Sequence, residues 1–260
     1  MSRWIAIYVK EMLEMRRNAK WLWVPLVFVA LGVMQPITAY YTPEIIKNMG
    51  GLPEGAVFEL PIPSPEDVMV KTLSQFGTIG LLVLALAFMA TVSGERQSGV
   101  AALILVKPVP HATYMTAKWA GVQTLLLAAF ACGYGGAWYY TGVLFGPVDV
   151  SDALTAFAAY ALWLVFVLTW PFLLGTRIRS SAGIAFATIA IAGLLSLAGN
   201  LFHRYMAWSP AELQRHASSW IASGHATGRP AFAAIIAVVA ITLMLAVGSI
   251  LLKRGDDGSV

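Results

Sequence analysis

Charged side chains are scarce in this sequence, at 12% of 260 residues, about half their usual share in a globular domain. That scarcity excludes a chain built around a charged surface for nucleic acid, and the formal net charge of +4 needs another explanation. Cysteine is scarcer still. The single Cys132 rules out a disulfide framework within one chain and leaves the redox compartment unread. Of the four histidines, His203, His216 and His225 stand thirteen and nine residues apart, which fits no compact metal-ligand pattern, so no metal site is expected. Residues 1–20 are charged and lack a small-residue cleavage motif behind a short apolar core, so no cleaved secretory leader is expected.

What the chain has in abundance is apolar length. Hydrophobic residues make up 58%, and they gather into six runs near 21–41, 75–93, 119–145, 153–176, 182–202 and 231–252. Each is long enough to cross a bilayer core of about 30 Å at about 1.5 Å of helical rise per residue. The expected fold is all-α: a polytopic membrane protein with six transmembrane helices, forming a single domain over 1–260 without an internal repeat. Pro25, Pro36 and Pro171 predict kinks. The third run is longer than needed and is expected to tilt, or to end in its glycine-rich segment Gly133–Gly136.

The runs also lack the residues that membrane chemistry needs. An intramembrane serine protease of the rhomboid type requires a buried Ser with a His base, yet no His lies in any of the six runs. Thr91-Val92-Ser93-Gly94 lacks the first glycine of the rhomboid pattern. Proton or ion coupling uses Asp, Glu, His, Lys or Arg facing a cavity, and the interiors of the runs hold none. Their polarity is soft, as at Gln123, Thr169 and Ser196, and suits hydrogen bonds between helices or the lining of a path. Gly94 and Gly99 have the outline of a phosphate loop, but Val100 and Ala101 replace its Lys and Ser/Thr. The chain is therefore expected not to be an ATPase, to have no catalytic residues and to bind no cofactor of its own.

Six crossings leave both termini on one side, and the basic residues choose that side. Twelve of the seventeen Lys and Arg fall with the termini: Arg3, Lys10, Arg16, Arg17, Lys20, Arg96, Lys107, Lys118, Arg177, Arg179, Lys253 and Arg254. Lys47, Lys71, Arg204, Arg215 and Arg229 fall opposite. The positive-inside rule then makes both termini cytoplasmic, and the net charge becomes an orientation signal. Within residues 1–20, Met1, Ile5, Tyr8, Met12 and Met15, joined by Trp4, recur at helical spacing, while Arg3, Lys10, Glu14 and Arg17 share another face. This predicts an interfacial amphipathic helix feeding the first span. A basic leader that only sets topology would explain the charges but not the Trp or the regular stripe. Outside, residues 42–74 end in the helix-start signal Ser64-Pro65-Glu66-Asp67, and residues 203–230 repeat it as Ser209-Pro210-Ala211-Glu212.

The loop 94–118 is the most informative segment. Glu95 and Gln97 precede an apolar turn, Ala101 to Val106; Pro108 and Pro110 end it, and Lys118 marks the return toward the membrane. It reads either as an ordinary connector or as a short stiff lever on which a partner pushes. The stretch Gly94-Glu95-Arg96-Gln97-Ser98-Gly99, with Leu103, Lys107-Pro108-Val109-Pro110, Tyr114 and Lys118, resembles the signature of ABC-2 type transporter permeases. In that family an acidic residue and a Gly precede a short leucine-bearing helix, a Pro-containing basic element follows, and a Lys precedes the third span. The layout of interfacial helix, six spans and a helical segment between the fifth and sixth spans is similar too. Pro110 and His111 depart from the family's commoner small polar residue and Arg.

The resemblance implies an ABC transporter permease of the cell membrane, acting as an exporter: two such chains, identical or related, beside two cytoplasmic ATPase subunits that bind the ATP and Mg. It implies ATPase coupling through Glu95, Arg96, Leu103, Lys107, Pro108 and His111. Two rows of small or short residues are candidates for helix packing or for the interface between permeases: Ala128, Cys132 and Gly136 on the third span, and Ala192, Ser196 and Asn200 on the fifth. A membrane anchor that docks a cytoplasmic partner without transport would use the same loop. The family handles drugs, lipids, glycans and ions or supports metal-centre assembly, so the resemblance names no single substrate.

Overall fold

The computed structural model describes residues 2–48, 63–99, 110–202, 205–226 and 228–257. Regular structure among the described residues is helical, and six helical stretches are long and apolar enough to cross a membrane: Lys20–Ile45, Pro65–Gln97, His111–Leu144, Val150–Leu174, Ser181–Leu201 and Pro230–Lys253. An even number of crossings brings the chain back to the end where it starts, called here the terminal end.

Helix α1, Arg3–Arg17, begins where the Ser2 side chain accepts the Ile5 amide at 3.3 Å, satisfying one of the orphan donors of a helix start. It stops at a turn in which Ala19 takes the left-handed conformation, φ 53°, and this turn feeds α2, Lys20–Asn48. Helix α2 runs through Pro25, Pro36 and Pro43 without interruption. The second span starts with α3, Pro65–Gln75, at the expected signal: the Ser64 side chain accepts the Asp67 amide at 3.1 Å, with Pro65 first and Glu66 and Asp67 in the first turn. A π-helical turn, Phe76–Gly80, leads into α4, Leu81–Phe88, and then into the short α5, Ser93–Gln97.

The third span is one helix, α6, His111–Leu144. Its 34 residues extend about 51 Å, so about 20 Å of it projects beyond a hydrocarbon layer of about 30 Å. It does not end at the glycines. Gly133 instead lies against α2: a Cβ there would stand 2.5 Å from the Phe28 carbonyl oxygen, and one on Gly32 would stand 2.0 Å from that of Gly133. The glycine-rich segment is thus a backbone-to-backbone contact, possible only without side chains at that point.

The fourth span is interrupted. Helix α7, Val150–Val167, gives way at Leu168–Thr169 to α8, Trp170–Leu174, with Pro171 at the start of the second piece. Trp119 of α6 donates its indole N–H to the Thr169 hydroxyl at the break, at 3.0 Å. Helix α9, Ser181–Leu201, forms the fifth span, and α11, Pro230–Asp257, the sixth. Between them α10, Glu212–Ser223, buries Leu213, Ala217 and Ile221 and ends at Gly224 with φ 70°. The repeated start signal works differently from the first: Ser209 accepts the Ala211 amide at 3.3 Å, and Ala211 precedes the helix.

The core is a chain of rings. Phe28 of α2 stacks on Phe76 of the π turn, Phe76 meets Phe130 of α6 edge-on at 5.5 Å, and Phe130 stacks on Phe157 of α7 at 5.0 Å. Tyr160 joins them while donating its hydroxyl to the Leu73 carbonyl at 2.6 Å, and Gly77 is the residue that leaves room for that hydroxyl. Such pairs hold the first four spans in one orientation.

Candidate functional site at the terminal end

Where α1 lies along the projecting start of α6, the bundle encloses charge. Trp4 donates to the Thr116 hydroxyl at 3.3 Å, and the hydroxyls of Tyr8 and Thr124 meet at 3.1 Å. Gly121 sets the separation, since a Cβ there would come within 3.1 Å of the Glu11 Cβ. The closeness places Glu11 directly on Lys118, Oε1 to Nζ 2.6 Å, with the lysine side chain 1% exposed and the glutamate 5%.

Glu95 of α5 completes the group. Its Oε1 lies 3.1 Å from the Lys118 ammonium and also accepts from Lys10 of α1, while Oε2 accepts the Tyr114 hydroxyl at 2.5 Å. Lys10 reaches Glu14 at 2.9 Å and Glu11 at 3.2 Å as well. Burial alone would lower the Lys10 pKa, but the hydrogen bonds to Glu95 and Glu14 and the charge of Glu11 outweigh it and hold the ammonium above its ordinary range. The lysine stays charged at every physiological pH.

A cleft of about 520 Å³ opens beside this group, lined in part by Lys10, Glu14, Asn18, Lys20 and Glu95. Carboxylate oxygens of Glu11, Glu14 and Glu95 approach within 4.8 Å of one another, as metal ligands would. The ammonium groups of Lys10 and Lys118 already occupy those oxygens, so the cluster is an ion-pair network and not a cation site. Every member has opposite charge within reach, and none is poised as a nucleophile or general base. The arrangement holds elements together.

Helix α5 also binds the connection after the fourth span. The Arg96 guanidinium donates to the Gly175 carbonyl at 3.1 Å and to that of Thr176, at the negative end of α8. The Gln97 amide donates to the Arg179 carbonyl, and the hydroxyls of Ser93 and Ser181 meet at 3.1 Å. Gly175 permits the approach, because a Cβ there would stand 2.9 Å from that of Val92. Five residues thus tie together α1, α6 and the 175–181 connection.

Among the coupling residues expected from sequence, Glu95 is at the centre of the network, paired within the chain, and Arg96 is engaged on main-chain carbonyls. His111 opens α6 and is half-buried. Leu103, Lys107 and Pro108 lie outside the described residues. Of the small-residue rows, Gly136 packs on Val33 of the same chain, Ala128 is half-buried and Cys132 is exposed. Ala192 is buried, while Ser196 accepts the Gln214 amide at 2.7 Å and lines, with the exposed Asn200, a polar cavity of about 220 Å³ beneath α10.

Sequence reasoning missed Glu11 entirely and treated Tyr114 and Lys118 only as markers. The signal for Glu11 was available: it stands three residues after Tyr8 and four before Met15, on the stripe read as apolar. A carboxylate on that stripe requires a buried cation opposite, and Lys118 is the lysine that follows Glu95 toward the third span.

Residues 5–256 match the sequence pattern of a family described as ABC-2 family transporter protein. The chain belongs to the ABC-2 transporter family. An uncharacterized transmembrane protein of Bacillus subtilis (strain 168), YxlG, is 37% identical over 220 residues, 85% of each chain. Membership places the chain among the membrane-embedded permease components of ABC transporters, in accord with its six apolar spans. For an ABC-2 chain the ion-pair network has an evident location: it sits where the second span runs into the loop 94–118.

Proposed function

We propose that this chain is the permease subunit of an ATP-driven exporter in the cell membrane, with the terminal end in the cytoplasm. Two copies, or one copy and a related chain, form the pathway, and separate cytoplasmic ATPase subunits bind the ATP and Mg and dock on the loop 94–118. The observation that carries this reading is the double attachment of α5. Glu95 holds α1 and the start of the third span through Lys10 and Lys118, and Arg96 holds the end of the fourth. A displacement delivered to the loop therefore enters several spans at once, as coupling requires and a passive connector does not. The excess of Lys and Arg at the terminal end supports the orientation.

On this reading the docking residues are Leu103, on the side of the lever that its sequence pattern makes apolar, followed by Lys107, Pro108 and His111. Leu103→Asp would put an unpaired charge into a dry contact, so co-purification of the ATPase subunit should be lost while the chain still inserts. The purified chain alone should hydrolyse no ATP above background, and hydrolysis in an ATPase-free preparation would refute the division of labour. If Leu103→Asp binds the ATPase normally, the loop is only a connector. A complex that forms without nucleotide-dependent change in any span is an anchor and not a transporter.

A further inference from the structure

Helix α1 carries a second apolar face that nothing among the described residues covers. Ile7, Met12 and Met15 pack on the core, whereas Ile5, Val9 and Leu13, spaced by four, form a row on the other side, Leu13 49% exposed. Beyond the turn at Ala19, Trp21 of α2 stands across from the end of this row. Val9, Met12, Leu13, Arg16 and Trp21 together line a groove of about 390 Å³. Apart from Arg16 its walls are apolar, and Arg16 is exposed and makes no side-chain hydrogen bond or ion pair among the described residues.

Three features say what fits. The groove reaches the start of the first span at Trp21, and that span exposes Leu22 and Leu26 at 69% and 62%, so the groove and the first span present apolar surface to the same kind of occupant. The groove runs about 10 Å along α1 from Val9 to Arg16, long enough to seat part of one hydrocarbon chain. It ends at a guanidinium whose planar fork suits a phosphodiester, with Arg17 exposed next to it adding a second positive charge. Apolar walls leading to paired cations describe an acyl chain with an anionic head.

We propose that the groove between α1 and the start of α2 is a binding site for one anionic phospholipid, its acyl chain against Val9, Leu13 and Trp21 and its phosphodiester on Arg16. Zwitterionic lipids share the phosphodiester but bring an ammonium toward Arg16 and Arg17, so net negative charge sets the preference. The lipid would brace the turn at Ala19 and so the angle between α1 and the first span.

The test is native mass spectrometry of the full chain released from micelles containing dioleoyl phosphatidylglycerol or dioleoyl phosphatidylcholine. One phosphatidylglycerol should be retained about tenfold more tightly than phosphatidylcholine. Arg16→Gln should erase that preference, Arg16→Lys should keep part of it, and Leu13→Asp should weaken retention of both lipids. Lys253→Gln, an exposed cation on α11, should change nothing. Equal retention of the two lipids, or an undiminished preference in Arg16→Gln, would overturn the site. Both Arg16 variants alter an exposed side chain, and an unchanged melting temperature confirms that their loss of lipid is not loss of fold.

Discussion

Lys118 is the most deeply buried charged residue among the described residues. Its ammonium is fully buried between Glu11 and Glu95, and breaking a buried pair from one side strands the opposing charges, at a cost of about 3–5 kcal/mol. Lys118→Met should therefore lower the melting temperature of the purified chain sharply. Glu11→Gln should cost less, because Lys118 keeps Glu95. Tyr114→Phe removes one charge-assisted hydrogen bond and should cost about 1.5–3 kcal/mol. A melting series in which Lys118→Met is no worse than Tyr114→Phe would show that the network is solvated and not buried. At this scale the sequence was half legible. Glu95 stood out by its position in the loop, but its partners lie 85 residues before it, at Lys10, and 23 after it, at Lys118. Only the contact of α1 with α6, which depends on Gly121, brings them together.

The helix of the third span begins at His111, ahead of the run expected from 119, but among the helices the presence of six apolar spans and the start at Ser64 and Pro65 were readable, because both follow from local chemistry. Which helix meets which was not, and the glycines of α6 show why. Gly133 through Gly136 were read as a place to tilt or stop, yet a glycine is uninformative until its neighbour is known. A Cβ on Gly133 would run into the Phe28 backbone, whereas one on Gly135 would meet no other part of the described residues within 4 Å. Gly133→Ala should thus force α2 and α6 apart, costing about 1–3 kcal/mol or more, while Gly135→Ala should be neutral or slightly stabilising in a helix. Melting temperatures of the two variants provide the comparison, and equal effects would remove the backbone contact from the account. The break in the fourth span follows the same logic. Pro171 predicted a disturbance, but the Trp119 bond to Thr169 that crosses to the break belongs to a partner helix.

Taken as a whole, the molecule concentrates its buried ion pairs at the end where its basic residues also gather, and both facts bear on orientation. With Cys132 replaced, cysteines introduced at Ser2 or Ser259 should be labelled only from the cytoplasm and one at Glu54 only from outside. Labelling of either terminus from outside would reverse the bundle and remove the loop 94–118 from any cytoplasmic ATPase. Given the expected orientation, the network makes a stronger demand, because it joins the loop to α1 and the third span through one carboxylate, and to the fourth span through one guanidinium. The two connections can be cut separately. Spin labels at Arg17 and Arg179, both exposed and at the terminal end, report on the two branches. In the proposed complex with an ATPase subunit, trapping ATP should shift the distance between them. Glu95→Gln removes the charge that holds Lys10 and Lys118 while leaving Arg96 on its carbonyls, so α1 should stop following the loop and the shift should shrink although the ATPase remains bound. An undiminished shift in Glu95→Gln would mean that displacement reaches α1 by another route, and that the buried charges serve stability alone.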